Sequence, residues 1–297
     1  MTQLIPIEAV PGSTPPADAP AKLRRRWLLS GLGLGGWVAL AILGLMVVTA
    51  TIGPLLVSAD PNSISLAKAF VVPSPGHPLG FDGQGRDLLA RLVYGARPAI
   101  LGPLFVVVVS TISGVALAIA AAWLGGRFDA IASRFIDAMF AFPGLLLAIL
   151  AVSLFGSGLV AAGIALSIAY TPYVARIVRS AALRERSLPY VSALTVQGFR
   201  GVTIAIRHLL PNLSGLIVAC ATLSFGYALI DLAALSFIGL GVQPPNPDWG
   251  VMVASGMPGI LQGFPQESLY ASACVVLTVG AVNYLGDRFT ARAEARS

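Results

Sequence analysis

Long apolar runs with almost no charge constrain the fold of this chain more than any other feature of its sequence. An α-helix that crosses a bilayer needs about 20 consecutive apolar residues. Five runs reach about this length or exceed it, at residues 27–59, 98–126, 138–175, 209–240 and 268–286, and Asp231 is their only charged residue. The third run is long enough for two crossings and is divided by a tight turn at Gly156, Ser157 and Gly158. The pattern predicts an all-α polytopic membrane protein with six transmembrane helices.

The composition agrees with a membrane protein and argues against a nucleic-acid-binding protein. Only 11% of the 297 residues are charged, whereas soluble domains carry about 25%. The sequence pI is about 9.7, which would also suit a partner such as DNA or RNA. The Lys and Arg residues flank the apolar runs, however, where membrane topology places them. We therefore expect the lipid bilayer, and no nucleic acid, as the surroundings of this chain.

The distribution of basic residues predicts the orientation. Cytoplasmic loops of membrane proteins carry an excess of Lys and Arg. If the N-terminus is cytoplasmic, fifteen of the nineteen Lys and Arg residues fall inside and four fall outside. The sequence therefore predicts that both termini lie in the cytoplasm.

These spans divide the chain into five predicted parts. They are a disordered basic cytoplasmic tail (1–26), span 1 (27–57), an extracytoplasmic loop (58–97), a core of spans 2–6 (98–290) and a cytoplasmic tail (291–297). Within the core, residues 180–208 are predicted to be cytoplasmic and residues 241–267 to be extracytoplasmic.

Several functional classes lack the residues that they need. The chain contains no G-x-x-x-x-G-K-[ST] phosphate loop, so energy from ATP would have to come from a partner. The chain has two histidines, His77 and His208, and both lie outside the predicted spans. Its two Cys residues form no metal-binding pattern with them. We expect no catalytic, cofactor or metal site in this chain. A self-contained secondary transporter or channel stays open as a second class, although it normally requires more intramembrane ionisable groups than Asp231.

The cytoplasmic stretch 180–208 contains a short helix with a defined end. Pro189 suits a first helical turn, and Gly198 favours a stop or a close backbone approach. Such a helix has three plausible roles: lying on lipid headgroups, packing on its own spans, or docking into a groove on a cytoplasmic partner.

Five ordered blocks of residues resemble the ABC importer permeases of the dipeptide, oligopeptide and nickel branch, in particular the second, or "C", inner-membrane subunit of dipeptide permeases. The first block is Tyr190, Val191, Ala193 and Gly198 with Arg207 to Asn212, and the second is His77 to Gly80, Asp82 and Gly85 to Asp87 with Tyr94 to Arg97. The other three are Asp137 with Ala141 to Pro143, Leu235 to Pro245 with Trp249 and Gly250, and Leu285 to Asp287. The resemblance implies the type I ABC importer permease fold and a bacterial inner-membrane location.

The resemblance identifies the cytoplasmic stretch with the helix that couples a permease to its ATPase. The residues implied are Tyr190, Val191, Ser192, Ala193, Leu194, Gly198, Phe199, Arg200, Arg207, His208 and Pro211. Two positions depart from the family pattern, because Ser192 stands where the family has Glu and Leu194 where it has Ala. The acidic contact of the family therefore does not carry over to Ser192.

The extracytoplasmic segments are implied to face a substrate-binding protein. The candidate residues are His77, Asp82, Arg86, Asp87, Arg97 and Trp249. The alternative is a loop that packs only on its own spans. A metal site at His77 and Asp82 is weakly supported, since only two ligand types are near.

Asp231 is the candidate residue of the translocation pathway. Charges inside spans are costly and usually face a cavity or a partner. Tyr227 and Ser224, four and seven residues earlier, are predicted to share its helical face. The alternatives are a structural pair at a subunit interface or a position that reaches water.

The expected function is that of a permease subunit in an ATP-driven importer of dipeptides or short peptides. The resemblance implies four kinds of partner: a homologous second permease, cytoplasmic ATPase subunits that carry ATP and Mg, an extracytoplasmic substrate-binding protein, and the bilayer. The same architecture importing a nickel chelate or haem is the alternative substrate prediction.

Overall fold

The structure is a computed structural model that describes residues 33–294, and this part of the chain is helical without any β-strand. The predicted tail 1–26, the start of span 1 and residues 295–297 lie outside the described residues. The helices are α1 (Gly33–Thr51), α2 (Gly53–Leu56), α3 (Leu88–Leu124), α4 (Gly126–Phe140), α5 (Gly144–Phe155), α6 (Leu159–Arg186), α7 (Pro189–Val196), α8 (Gly201–Ile204), α9 (Leu210–Phe237), α10 (Trp249–Ser255), α11 (Met257–Leu261) and α12 (Gln266–Glu294). A single π-helical turn, Ala205–Leu209, joins α8 to α9.

Five helical segments are long and apolar enough to cross a bilayer, and a bent pair provides a sixth. The five are α1, α3, α6, the continuous helical segment Gly201–Phe237 and α12. The bent pair is α4 with α5, whose axes differ by 85°. The six predicted spans are matched when this pair counts as one crossing.

The bend corrects the prediction of an uninterrupted third span. Helix α4 ends at Phe140, and Ala141 to Pro143 form a turn before α5 begins at Gly144. Pro143 lacks a backbone N–H, and a proline disfavours helical geometry in the residue before it. The break therefore follows from local covalent chemistry that an apolar run conceals. The predicted turn between spans 3 and 4 is present, with positive φ at Gly156 and Gly158.

Other helix boundaries also differ from the prediction. Helix α3 begins at Leu88, so the last ten residues of the predicted loop 58–97 are helical. The Asp87 carboxylate caps this helix by accepting a hydrogen bond of 2.7 Å from the N–H of Ala90. Helix α6 likewise continues to Arg186, well inside the predicted stretch 180–208, and α12 continues to Glu294, past the predicted start of the tail at 291.

Small residues bring the helices close together at the centre of the bundle. A Cβ placed on Gly114 of α3 would lie 2.8 Å from Cβ of Val174 on α6, and one on Gly102 would lie 2.9 Å from Leu232 on α9. Membrane helices associate through this close packing because lipid offers no hydrophobic driving force between them. Helices α3, α6 and α9 thereby form the centre of the bundle, on which the polar segments at both ends are built.

Candidate functional site

The segment between α6 and α9, here called the coupling segment (residues 187–209), forms a short helix followed by a sharp turn. Helix α7 begins at Pro189, whose missing N–H costs nothing in a first turn. It ends before Gly198, which has φ +83° and leaves the backbone free to reverse. The predicted stop at Gly198 is confirmed. Ser187 does not cap α7, since its hydroxyl donates instead to the carbonyl of Arg184.

The inner side of α7 is attached to the bundle by burial and by one carboxylate. Val191 is buried among residues of α3, α6 and α9, and Leu194 is half-buried beside it. Glu185, on the last turn of α6, accepts hydrogen bonds of 2.8 Å from both the Tyr190 hydroxyl and the Asn212 amide. Burial, and then the hydrogen bond to Glu185, raise the pKa of Tyr190, so this phenol remains a donor. Glu185 therefore connects α6, α7 and α9.

The outer side of the coupling segment is unpartnered in the isolated chain. Ser192, Ala193, Val196, Phe199 and Arg200 are all exposed, Val196 by 90% and Phe199 by 43%. The Phe199 ring contacts His208 edge-on at a centroid distance of 6.4 Å, while Arg207 and Pro211 are exposed on the following turn. The segment thus has a fixed inner side and a free, mostly apolar outer side.

A second attachment, which sequence reasoning missed, lies at the far end of the turn. Gly201 lies so close to the indole of Trp123 that any Cβ would overlap the ring. The guanidinium of Arg186 lies over the Trp123 ring, 5.2 Å from its centroid, and donates to the carbonyl of Ala122. The glycine after the bend was a visible signal, but its aromatic partner is 78 positions away in the sequence.

An ion pair joins the bent helix α4 to α6. Nε of Arg179 donates to Oδ1 of Asp129, and Nη2 donates to Oδ2, each at 2.6 Å. Both side chains are about three-quarters covered. Two parallel hydrogen bonds fix both the separation and the relative orientation of the two side chains. The pair therefore links α4 to the part of α6 around Arg179.

At the opposite end of the bundle, residues 58–87 and 241–265 form a cap that contains a buried cluster of charges. Asp82 accepts hydrogen bonds from the N–H groups of Gln84 and Arg86 and, at 2.6 Å, from Nε of Arg86. Arg91 lies 3.6 Å from the same carboxylate and donates to the carbonyls of Pro61 and Pro245. Asp82, Arg86 and Arg91 are all buried.

The prediction that six residues at this end face a partner is wrong for four of them, which are buried. Asp82, Arg86, Asp87 and Trp249 are interior, and Nε1 of Trp249 donates to the carbonyl of Leu92. His77 is partly exposed but is held by Asp87 at 2.5 Å. Arg97 is exposed, with its Nε donating to the carbonyl of Ala50. The carboxylates of Asp82 and Asp87 accept hydrogen bonds from nearby backbone N–H groups, because buried backbone groups need partners.

The three predicted pathway residues do not share one environment. Oδ2 of the half-buried Asp231 accepts a hydrogen bond of 2.9 Å from the hydroxyl of Tyr170 on α6. Tyr227 is 53% exposed. Ser224 is fully buried, and its hydroxyl has no partner among the described residues. The expectation that Ser224 lines the same surface is wrong, since neighbouring helices cover that part of α9. Tyr170 was not predicted, because a tyrosine in an apolar run carries no signal of its partner.

Among the side chains that the structure describes, no group of three or more His, Cys, Asp or Glu residues could hold a metal ion. The two cysteines are free thiols.

Comparison with known proteins gives a consistent family. The family model described as the binding-protein-dependent transport system inner membrane component matches residues 114–297. The dipeptide transport system permease protein DppC of Alkalihalophilus pseudofirmus is 37% identical over 84% of this chain and 83% of its own. The di/tripeptide transport system permease protein DppC of Pseudomonas aeruginosa is 35% identical over 93% of each chain.

A third relative, the glutathione transport system permease protein GsiD of Pectobacterium atrosepticum, is 38% identical over 72% of this chain and 71% of its own. These matches confirm the resemblance that the sequence blocks indicate. The chain belongs to the binding-protein-dependent transport system inner membrane components, the ABC permease family, and is one component of a multi-subunit transport system in the inner membrane.

Proposed function

We propose that this chain is a permease subunit of an ATP-driven importer of dipeptides and other short peptides. The relatives described above are named for dipeptides, tripeptides and glutathione, which favours peptides over nickel chelates or haem. The observation that carries the proposal is the two-sided coupling segment, whose inner side is fixed to Glu185 and whose outer side is free.

The outer side of the segment has the chemistry of a docking surface for a cytoplasmic ATPase subunit. Apolar residues at the centre of an interface provide most of the binding energy, and Val196 and Phe199 are exposed together with Arg200 at the rim. Ser192 and Ala193 are small and allow close approach. On this proposal ATP and Mg are bound by the partner ATPases and this chain is itself non-catalytic.

The orientation follows from the basic residues. The end of the bundle that carries the coupling segment contains Arg127, Arg134, Arg176 and Arg179 and the arginines of residues 184–207, so we expect this end to be cytoplasmic. The cap is then extracytoplasmic, where a loaded substrate-binding protein would release its peptide. A homologous second permease completes the pathway.

The contacts of the coupling segment define how a movement would be transmitted. A displaced α7 pulls on Glu185 and hence on α6, while Asn212 moves the start of α9. Through the Arg179–Asp129 pair, α6 carries α4 with it. Packed helices that shift as rigid bodies are an established route for such transitions, and alternating access would arise as the spans of the two permeases rock apart.

The direct experiment is purification of the complex from mildly solubilised membranes, followed by reconstitution in vesicles. We expect a second permease and an ATPase to co-purify in stoichiometric amounts, and ATP-dependent uptake of a labelled dipeptide when loaded binding protein is added outside. Uptake by this chain alone and without ATP would contradict the proposal and favour a secondary transporter or channel.

A charge exchange tests the role of the Arg179–Asp129 pair. Asp129→Arg alone should place two guanidinium groups side by side and lower both the thermal midpoint of the complex and its uptake. The double variant with Arg179→Asp should restore most of both, because the pair is re-formed in reverse. We expect a coupling free energy of about 1–3 kcal/mol from the double-mutant cycle.

The matched control for this cycle is Arg127→Asp. Arg127 lies two residues from Asp129 on the same helix, is exposed and forms no ion pair with any residue that the structure describes. Its replacement should change the thermal midpoint only slightly. A double variant no better than Asp129→Arg would show that the pair has no role in linking α4 to α6.

A further inference from the structure

Asp231 is a carboxylate inside a span with only one partner. It is the single charged residue of α9. Its Oδ2 accepts the hydrogen bond of Tyr170, whereas Oδ1 accepts none from the described residues and is not among their fully buried polar atoms. Among the side chains that the structure describes, no basic group lies within ion-pair distance of it. One oxygen therefore remains open to the surface of the isolated chain.

The position of Asp231 inside a predicted span argues against lipid as its surroundings. It precedes the end of α9 at Phe237 by six residues, about 9 Å at the helical rise. A charged group at that depth faces a water-filled cavity or another protein, because exposure to hydrocarbon is costly. The face of α9 that carries Asp231 therefore lies towards the pathway or the second permease.

Two tyrosines lie near this carboxylate. Tyr170 on α6 donates to its Oδ2, and Tyr227 is one helical turn from Asp231 on α9 and is 53% exposed. Tyrosine rings attract ammonium groups, and the attraction increases when water is excluded. A carboxylate near tyrosines, without a basic side chain among the described residues within ion-pair distance, favours a cation over an anion.

We propose that Asp231, Tyr170 and Tyr227 form a binding site for an ammonium group, and that during transport this group is the free amino terminus of the imported peptide. The inference rests on the proposed function and assigns it a substrate contact. The site lies in the third of the span nearest the cap, which is where a peptide released from outside would first meet a charge. Tyr227, about 6 Å further along the helix, continues the same surface inward.

The competing occupant of the open oxygen is a Lys or Arg residue of the second permease. The two alternatives differ in the charge that a small probe meets at the site. With a free carboxylate, cationic probes are attracted and anionic probes repelled. With a permanent ion pair to a partner residue, neither effect remains.

The test uses the complete transporter with Cys220 and Cys274 replaced by Ala and Tyr227→Cys as the only thiol of this chain. Labelling rates are compared for a cationic and an anionic methanethiosulfonate reagent, with Asp231 intact and with Asp231→Asn. Each ratio of cationic to anionic rates is divided by the ratio for a small thiol in solution. With a free carboxylate we expect a value of roughly ten when Asp231 is intact, the effect of one charge about 6 Å away in water, and about one in Asp231→Asn. A value of about one with Asp231 intact that falls to about a tenth in Asp231→Asn would reveal a partner cation and overturn the proposal.

Transport provides the second measurement, with Tyr227 intact and binding protein saturated with dipeptide. We expect Asp231→Asn to lower peptide transported per ATP hydrolysed by about tenfold, as for a lost ion pair of about 1.4 kcal/mol. Asp231→Glu, which keeps the charge, should remain within about twofold of wild type. Wild-type transport by Asp231→Asn would overturn the site. Absence of ATP-dependent uptake in wild type would instead contradict the proposed function, while the labelling ratio would still report on the site.

Discussion

Gly198→Val is expected to impair productive coupling strongly while leaving the protein inserted and assembled. Gly198 has φ +83°, a backbone conformation that a β-branched residue adopts only with strain. This backbone strain costs about 1–3 kcal/mol. The chain can relieve it by changing the exposed turn, without disturbing the packed bundle. We expect peptide uptake per ATP hydrolysed to fall by about 5- to 150-fold, the range that this free energy corresponds to. Gly198→Ala should give a smaller loss in the same direction.

Gly263→Val is the matched control for this prediction. Gly263 has φ +85°, and neither glycine has an atom within 4 Å of the position that a Cβ would occupy. The two substitutions therefore impose similar strain at opposite ends of the molecule. Uptake and ATP hydrolysis are measured in the same vesicles. If Gly198→Val kept wild-type uptake and binding-protein-stimulated ATP hydrolysis, the turn would have no part in docking.

Asp82→Asn is expected to be the most destabilising single replacement in the cap. It removes the one carboxylate among the described residues that pairs with both Arg86 and Arg91, and all three side chains are buried. Breaking a buried ion pair by removing one partner typically costs 3–5 kcal/mol, because the other charge is left uncompensated. We expect a lower thermal midpoint of the purified complex and rapid proteolysis of residues 58–87 from the extracytoplasmic side.

Asp60→Asn separates the effect of charge from that of turn geometry. The carboxylates of Asp60 and Asp82 each accept a hydrogen bond from the N–H two residues later, at 2.9 and 2.8 Å, but Asp60 is exposed and has no ion pair with a described residue. Its replacement should leave the thermal midpoint nearly unchanged. Equal effects of the two substitutions would mean that the turn, and not the buried charge, stabilises the cap.

The number of spans could be predicted from the sequence because hydropathy and the absence of charge are local properties. The turns at Gly156 to Gly158 and at Gly198 were predictable for the same reason, since glycine tolerates positive φ. The start of α3 could not be predicted in this way. Arg91 and Arg97 made residues 88–97 resemble a polar loop. Both arginines nevertheless lie in a helix, from which they donate hydrogen bonds to backbone carbonyls of distant segments.

The candidate sites show the same division between local and distant information. The residue types of the coupling segment could be identified from the sequence, but its attachment through Glu185 and Trp123 could not, because these contacts form only after α3, α6 and α9 have packed. The cap residues were correctly located at the same end of the bundle. Their burial was not foreseen, since a sequence does not show which charges find partners.

Arg91 and Trp249 also determine the order in which one end of the protein is completed during synthesis. Asp82 and Arg86 are four residues apart, and Pro61 precedes Arg91 by thirty residues, so these contacts are available as soon as the first third of the chain has emerged. The bonds to Pro245 and from Trp249 to Leu92 span 154 and 157 residues. The charge cluster is therefore closed by two contacts that the first third of the chain cannot supply. A chain that ends before residue 245 lacks both of them.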